Sequence, residues 1–166
     1  SLGRRCLVAV GDMGKPEEAV RVVRQTVEHF ASVDVLVHCA GGVVVGGLFD
    51  VDPEAWLAAF DVHVHALYYL CRAAIPWMKK RREGAIVMIS SVAGLRGVHF
   101  NLAYQVVKGA LPQFARALAR EVADDGHDAV LALHLLHAAE ARLVGEEATP
   151  HALGVGGTDE LAQGRV

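Results

Sequence analysis

Cysteine is scarce in this chain: Cys6, Cys39 and Cys71 stand inside apolar stretches at long, irregular spacings. That pattern excludes a disulfide framework and a cysteine-rich metal site, and it fits a reduced compartment. Positive charge is not in excess, since the net charge is −3, so nothing electrostatic favours nucleic acid or an anionic membrane as partner. No run reaches the roughly 18 apolar residues of a membrane span, and no signal-peptide arrangement opens the sequence. Repeats and linkers are also missing. The expectation is one soluble, cytoplasmic domain over residues 1–166, with the Gly-rich and weakly patterned stretch 140–166 as a loosely ordered tail.

Apolar residues, by contrast, make up 53% of the chain and charged residues 21%, a composition that suits a buried sheet covered by helices. Four β-rich runs stand out: Leu7 to Val10, Val33 to Ala40, Ala85 to Ser90, and the weaker Val130 to Leu136. Each is nearly continuous in apolar residues, as in strands buried on both faces. Helical signals separate them. Pro16, Glu17 and Glu18 open a first helix, with Val20, Val23, Val27 and Phe30 as its apolar stripe. Asp52-Pro53-Glu54 reads as an N-cap followed by proline at the first helical position. Longer helices are predicted over about 63–82 and 103–123. Lys79 to Arg82, a basic run, falls at the end of the first of these, where it complements the helix dipole. Strand and helix in alternation predict an α/β fold, a doubly wound parallel sheet of Rossmann-like type.

Ser91, Tyr104 and Lys108 form the informative constellation. Tyr104 and Lys108 are four apart near the start of a helix, so their side chains share a face. A free phenol has a pKa of about 10 and is a poor base at neutral pH, and an adjacent ammonium favours its ionised form. Ser91 ends a buried strand, at the carboxyl edge where open α/β sheets bind ligands. A hydroxyl there can hydrogen-bond a carbonyl while a tyrosine moves the proton.

The surrounding motifs resemble those of the short-chain dehydrogenase/reductase family. Val33-Asp34-Val35-Leu36-Val37-His38-Cys39-Ala40-Gly41 is similar to the family's strand ending in Asn-Asn-Ala-Gly. Gly84-Ala85-Ile86-Val87-Met88-Ile89-Ser90-Ser91 resembles the strand that delivers the catalytic serine. Ala103-Tyr104-Gln105-Val106-Val107-Lys108-Gly109-Ala110-Leu111 resembles the catalytic tyrosine helix. The resemblance implies an oxidoreductase that moves hydride between NAD or NADP and a ketone or secondary alcohol. Tyr104 would be the acid/base, Ser91 would polarise the carbonyl, and Lys108 would tune the tyrosine and hold the nicotinamide ribose. Asp12 would stand where an aspartate contacts the adenine, and Ala40 and Gly41 would line the cofactor groove. The helices near 63–82 and 103–123 would form the face of a homo-oligomer, with Trp77 and Phe114 as contacts.

Departures from the family pattern are equally specific. No Gly-x-x-x-Gly-x-Gly or Gly-x-Gly-x-x-Gly turn precedes Asp12, so the anion site made by such a turn and a helix N-terminus is absent. His63 stands where the family has an asparagine supporting a water relay to the lysine, and His38 and Cys39 replace two asparagines. After Gly126 the expected Pro-Gly turn and substrate region do not appear. The first run therefore has to pair with the Val33 strand or leave an edge for a partner chain. The alternative function is accordingly a catalytically impaired, family-derived fragment that acts through helix-mediated association. Leu95, Val98 and Phe100 point to a hydrophobic substrate. His63 with His65, and His134 with His137, lack the companion ligands of a metal site, and Ser91 lacks a Gly-x-Ser-x-Gly elbow.

Overall fold

The computed structural model describes residues 3–124 and 130–135. Three parallel strands, β1 (Val35–His38), β2 (Gly84–Ile89) and β3 (Val130–Leu135), lie in the order β1-β2-β3. Four helices accompany them: α1 (Pro16–Phe30), α2 (Pro53–Phe60), α3 (Ala66–Arg81) and α4 (Leu102–Asp124). A π-helical turn, Asp61–His65, joins α2 to α3, and a 3-10 turn, Val92–Gly94, follows β2. The α/β alternation expected from the sequence is thus present. The weakly patterned stretch 140–166 and the histidine pair His134 and His137 lie outside the residues whose side chains are described.

Both crossovers step along the sheet in one direction, and parallel crossovers are right-handed, so α3 and α4 cover the same face. The core sits in that layer. Ile86 and Met88 of β2 pack with Leu67, Leu70, Cys71, Ala74 and Met78 of α3 and with Leu111 and Ala115 of α4. The opposite face differs from expectation: Val35 and Val37 are each 57% exposed. Their apolar character suits a strand covered on two sides, and the described residues supply a helical layer on one.

The first run is a second correction. Leu7 to Val10 forms no strand, and Val8 and Val10 are 81% and 85% exposed. It is tethered to α1 instead, by Arg21 Nη2 donating to the Val10 carbonyl at 2.6 Å and by Arg5 Nη1 donating to the His29 carbonyl at 3.2 Å. β-rich composition yields a strand only where a hydrogen-bonding partner is in reach, and β1 pairs with β2 alone among the described strands.

Helix ends follow their local chemistry. Asp52 accepts from the Ala55 N–H at 2.7 Å, capping α2. Ala31 and Arg82, both left-handed, close α1 and α3. Lys79, Lys80 and Arg81 occupy the last turn of α3; Arg81 lies 3.3 Å from Asp34, and Lys80 sits over the Trp77 ring. In α1 the stripe holds at Val23, which is buried, and Val27, which packs beside it, but Ala19 is buried in place of Val20, which is 53% exposed. α1 packs on α3, and 19, 23 and 27 are the positions four apart that face it.

Candidate active site

The site is built where β2 ends and α4 begins. Ser91 follows the strand, is fully buried, and caps the 3-10 turn by accepting from the Ala93 N–H at 3.1 Å. Tyr104 lies in the first turn of α4 and Lys108 one turn later; both are buried. The Lys108 ammonium is 5.7 Å from the centre of the Tyr104 ring. Lys108 is held at both ends. Its Nζ donates to the Ile89 carbonyl at 2.8 Å, and its own carbonyl accepts from the Ser90 hydroxyl at 2.8 Å.

Close backbone contact makes this possible. A Cβ on Gly94 would fall 2.6 Å from the Lys108 carbonyl carbon and 2.7 Å from the Gly109 nitrogen, and one on Gly109 would fall 3.1 Å from the Gly94 oxygen. Two glycines therefore let the turn after β2 press directly on α4. The loop beyond is clamped by Gln105, whose Oε1 accepts from the Val98 N–H and whose Nε2 donates to the Val98 carbonyl, each at 2.7 Å. Gly46 ties in the loop after β1: its N–H donates to the Phe100 carbonyl at 2.8 Å, and its carbonyl accepts from the Leu102 N–H at 3.1 Å.

His63 joins the cluster from the π-helical turn. Its ring meets Tyr104 edge to face at 5.8 Å, and a Cβ on Gly41 would overlap it. His63 Nε2 donates to the Gly42 carbonyl at 3.0 Å, and His38 Nε2 donates to the His63 carbonyl at 3.1 Å. Burial, assisted by the Lys108 ammonium, holds the His63 imidazole below its ordinary pKa. Burial also pushes His38 from 6.5 down to about 4.

Of the residues singled out in the sequence, Gly41, His63, Tyr104 and Lys108 come together, and Ser91 caps the turn that packs on α4. Ala40 is exposed at the end of β1. Asp12 sits in a turn of its own, accepting from the Gly14 N–H at 3.0 Å and lying 3.9 Å from Lys15. Three contributors were not marked as site residues: Ser90 and Gln105, which fix α4, and His38, which braces the π turn. For His38 and Ser90 a polar residue inside or beside an apolar strand was the available signal; Gln105, in the first turn of α4, carried none.

The buried histidines set an acid limit on stability. Unfolded, His38 takes up its proton near pH 6.5; folded, it does so only near 4. The unfolded chain binds more protons between those values, so stability is level above the upper one and falls as pH drops toward the lower. The loss reaches about 2 kcal/mol by about pH 5, and His63 adds to it in the same direction. Urea midpoints at about pH 7 and about pH 5 measure it; equal midpoints would contradict the burial of a neutral His38.

The family model for short chain dehydrogenase matches residues 1–132. The chain is 39% identical over 94 residues to 2-keto-3-deoxy-L-fuconate dehydrogenase of Xanthomonas campestris pv. campestris, covering 56% of this chain and 31% of that protein. It is 46% identical over 87 residues to human retinol dehydrogenase 8, covering 52% and 28%. The crystal structure of a short-chain dehydrogenase from Streptomyces avermitilis superposes with a TM-score of 0.67 at 31% identity, covering 76% of this chain and 45% of that one. This chain spans less than half the length of each of these three. A match over most of the chain, the parallel α/β sheet and the likeness to solved members agree: the chain belongs to the short-chain dehydrogenase family.

Proposed function

We propose that the cluster at the carboxyl end of β2 works as an oxidoreductase site, transferring hydride between NAD or NADP and a ketone or secondary alcohol. The observation that carries this reading is Tyr104 and Lys108, both buried on one face of α4 with the ammonium 5.7 Å from the ring and anchored on the Ile89 carbonyl. Bound nicotinamide supplies or accepts the hydride. Tyr104 gives its hydroxyl proton to the carbonyl oxygen in reduction, or takes it back in oxidation. Ser91 donates a hydrogen bond to that oxygen, and Lys108 favours the ionised phenol by its charge. Gly41 and Gly42 fit a nucleotide at the nicotinamide end, because both are exposed at the strand's carboxyl edge and nothing stands over Gly42, while Gly41 leaves room for the His63 ring beside it. The residues that would receive the pyrophosphate are not among those described.

A hydrophobic substrate suits the rim. Val43, Val45, Leu48, Phe49, Leu95 and Phe100 are all more than half exposed, and the Gly46–Asn101 bridge sets the two loops side by side. Retinol dehydrogenase 8, among the relatives, carries an apolar compound in its name. Exposed free thiols at Cys6 and Cys39 suit a reduced, cytoplasmic setting. Among the described residues, no helix is long and apolar enough to cross a membrane. The test of the reaction is oxidation of NADH or NADPH by a panel of apolar ketones. Ketone-dependent oxidation is expected; none with either nucleotide would count against the reading.

A homo-oligomer formed through α3 and α4 is part of the same proposal. A groove of about 380 Å³ runs between them, lined by Tyr68, Arg72, Ile75, Phe114, Leu118 and Glu121. Phe114 also packs against the core, while Trp77 is already covered on one side by Lys80. Phe114→Glu is expected to shift sedimentation from oligomer to monomer; a wild-type chain that sediments as a monomer throughout would contradict the assignment.

A further inference from the structure

The chain between the 3-10 turn and α4 is steered by one side chain. Gln105 grips Val98 as a neighbouring strand would: its Oε1 accepts from the Val98 N–H and its Nε2 donates to the Val98 carbonyl, each at 2.7 Å. The second Nε2 hydrogen goes to Asn101 Oδ1 at 2.6 Å. An amide alone among uncharged side chains offers an acceptor and two donors together. Turned over, it would set donor against donor and acceptor against acceptor, so these bonds admit one orientation.

Phe100 stands between the two gripped residues. Its backbone is left-handed, with φ at 67°, a region that a bulky side chain enters rarely and keeps only where its surroundings compel it. Gln105 compels it from both sides, and the Gly46 N–H donates to its carbonyl at 2.8 Å. Packing supplies little of this restraint. Leu95 and Phe100 are 58% and 52% exposed, and Arg96, Gly97 and His99 are exposed as well. The Phe100 ring therefore has apolar surface left to bury against a ligand. A ring held in place also spares that ligand the cost of ordering it. Tyr104 directly precedes Gln105, so one turn of α4 carries both the phenol and the clamp.

We infer that Phe100 selects the substrate and that Gln105 is the positioning residue that holds it for the task. The site takes ketones or alcohols with a bulky apolar group beside the reacting carbon in preference to small ones. This rests on the reading of Tyr104 and Lys108 as an oxidoreductase site and adds the residues that choose its substrate.

Steady-state rates of the full chain with 4-phenyl-2-butanone and with acetone test it, using whichever of NADH and NADPH turns over faster. The readout is the ratio of the two kcat/KM values. Gln105→Met keeps the length of the side chain and removes the amide. The ratio is expected to fall about tenfold, through a higher KM for the aromatic ketone. Phe100→Gly removes the ring and relieves the left-handed backbone, so the chain keeps its fold while the ratio falls as far. Hydrogen exchange at the Val98 amide follows the clamp without turnover: it should be slow in wild type and in Phe100→Gly, and fast in Gln105→Met. A ratio unchanged in both variants, or equal Val98 exchange in wild type and Gln105→Met, overturns the inference. A fall in one variant alone overturns the role of the other residue. A wild-type chain that reduces neither ketone strikes the proposed reaction and this inference with it, whereas wild-type turnover with an unchanged ratio strikes this inference alone.

Discussion

Tyr104→Phe is expected to lower kcat/KM for carbonyl reduction by about 10³-fold, within the range for removing a positioned acid/base group. The loss should fall mainly on kcat, because the hydroxyl acts where the proton moves rather than in binding. Lys108→Met separates two roles. It removes the charge and also strips the Ile89 carbonyl of its 2.8 Å donor, so it is expected to lose activity and about 1–3 kcal/mol of stability together. Activity within tenfold of wild type in Tyr104→Phe would move the acid/base role to another group.

Gly94→Ala should cost about 3 kcal/mol, measured by chemical denaturation, as overpacking against atoms that cannot give way. The new methyl would meet the Lys108 carbonyl carbon at 2.6 Å and its oxygen at 2.7 Å, and these are helix backbone rather than flexible side chain. Relief requires α4 to lift from the turn after β2, carrying Tyr104 and Lys108 away from Ser91. Activity should therefore fall with stability. Gly97→Ala is the control in the same loop. Its nearest neighbour is the Gln105 Oε1 at 4.0 Å, so the change should stay within about 0.5 kcal/mol. Equal effects at the two glycines would show that the turn does not seat the helix.

Elements whose cause is local were legible in the sequence. Asp52 caps α2 because an Asp-Pro-Glu start needs nothing beyond its own turn. Pro16 opens α1 for the same reason. Ser91, Tyr104 and Lys108 were legible because helical spacing and a strand end place them without knowledge of the rest. What the sequence could not show depends on partners. Leu7 to Val10 has a strand's composition but pairs with no strand among the described residues, and it lies against α1 with Val8 and Val10 exposed. The π turn at Asp61–His65 has no composition signature; its register shows only when His38 is seen reaching the His63 carbonyl. Ser90 looked like one more residue at a strand end, yet its hydroxyl seats the Lys108 carbonyl. The covered face of the sheet was foreseen by apolar patterning, while the exposed Val35 and Val37 were not, since patterning records what a strand can bury rather than what is present to cover it.

Calorimetric titration of the folded chain with NADH and then NADPH tests the central claim, that the cluster at the carboxyl end of β2 serves a nicotinamide-dependent reaction. Saturable binding of at least one nucleotide, weakened by Lys108→Met, is the result this account predicts. A folded chain that binds neither would contradict it.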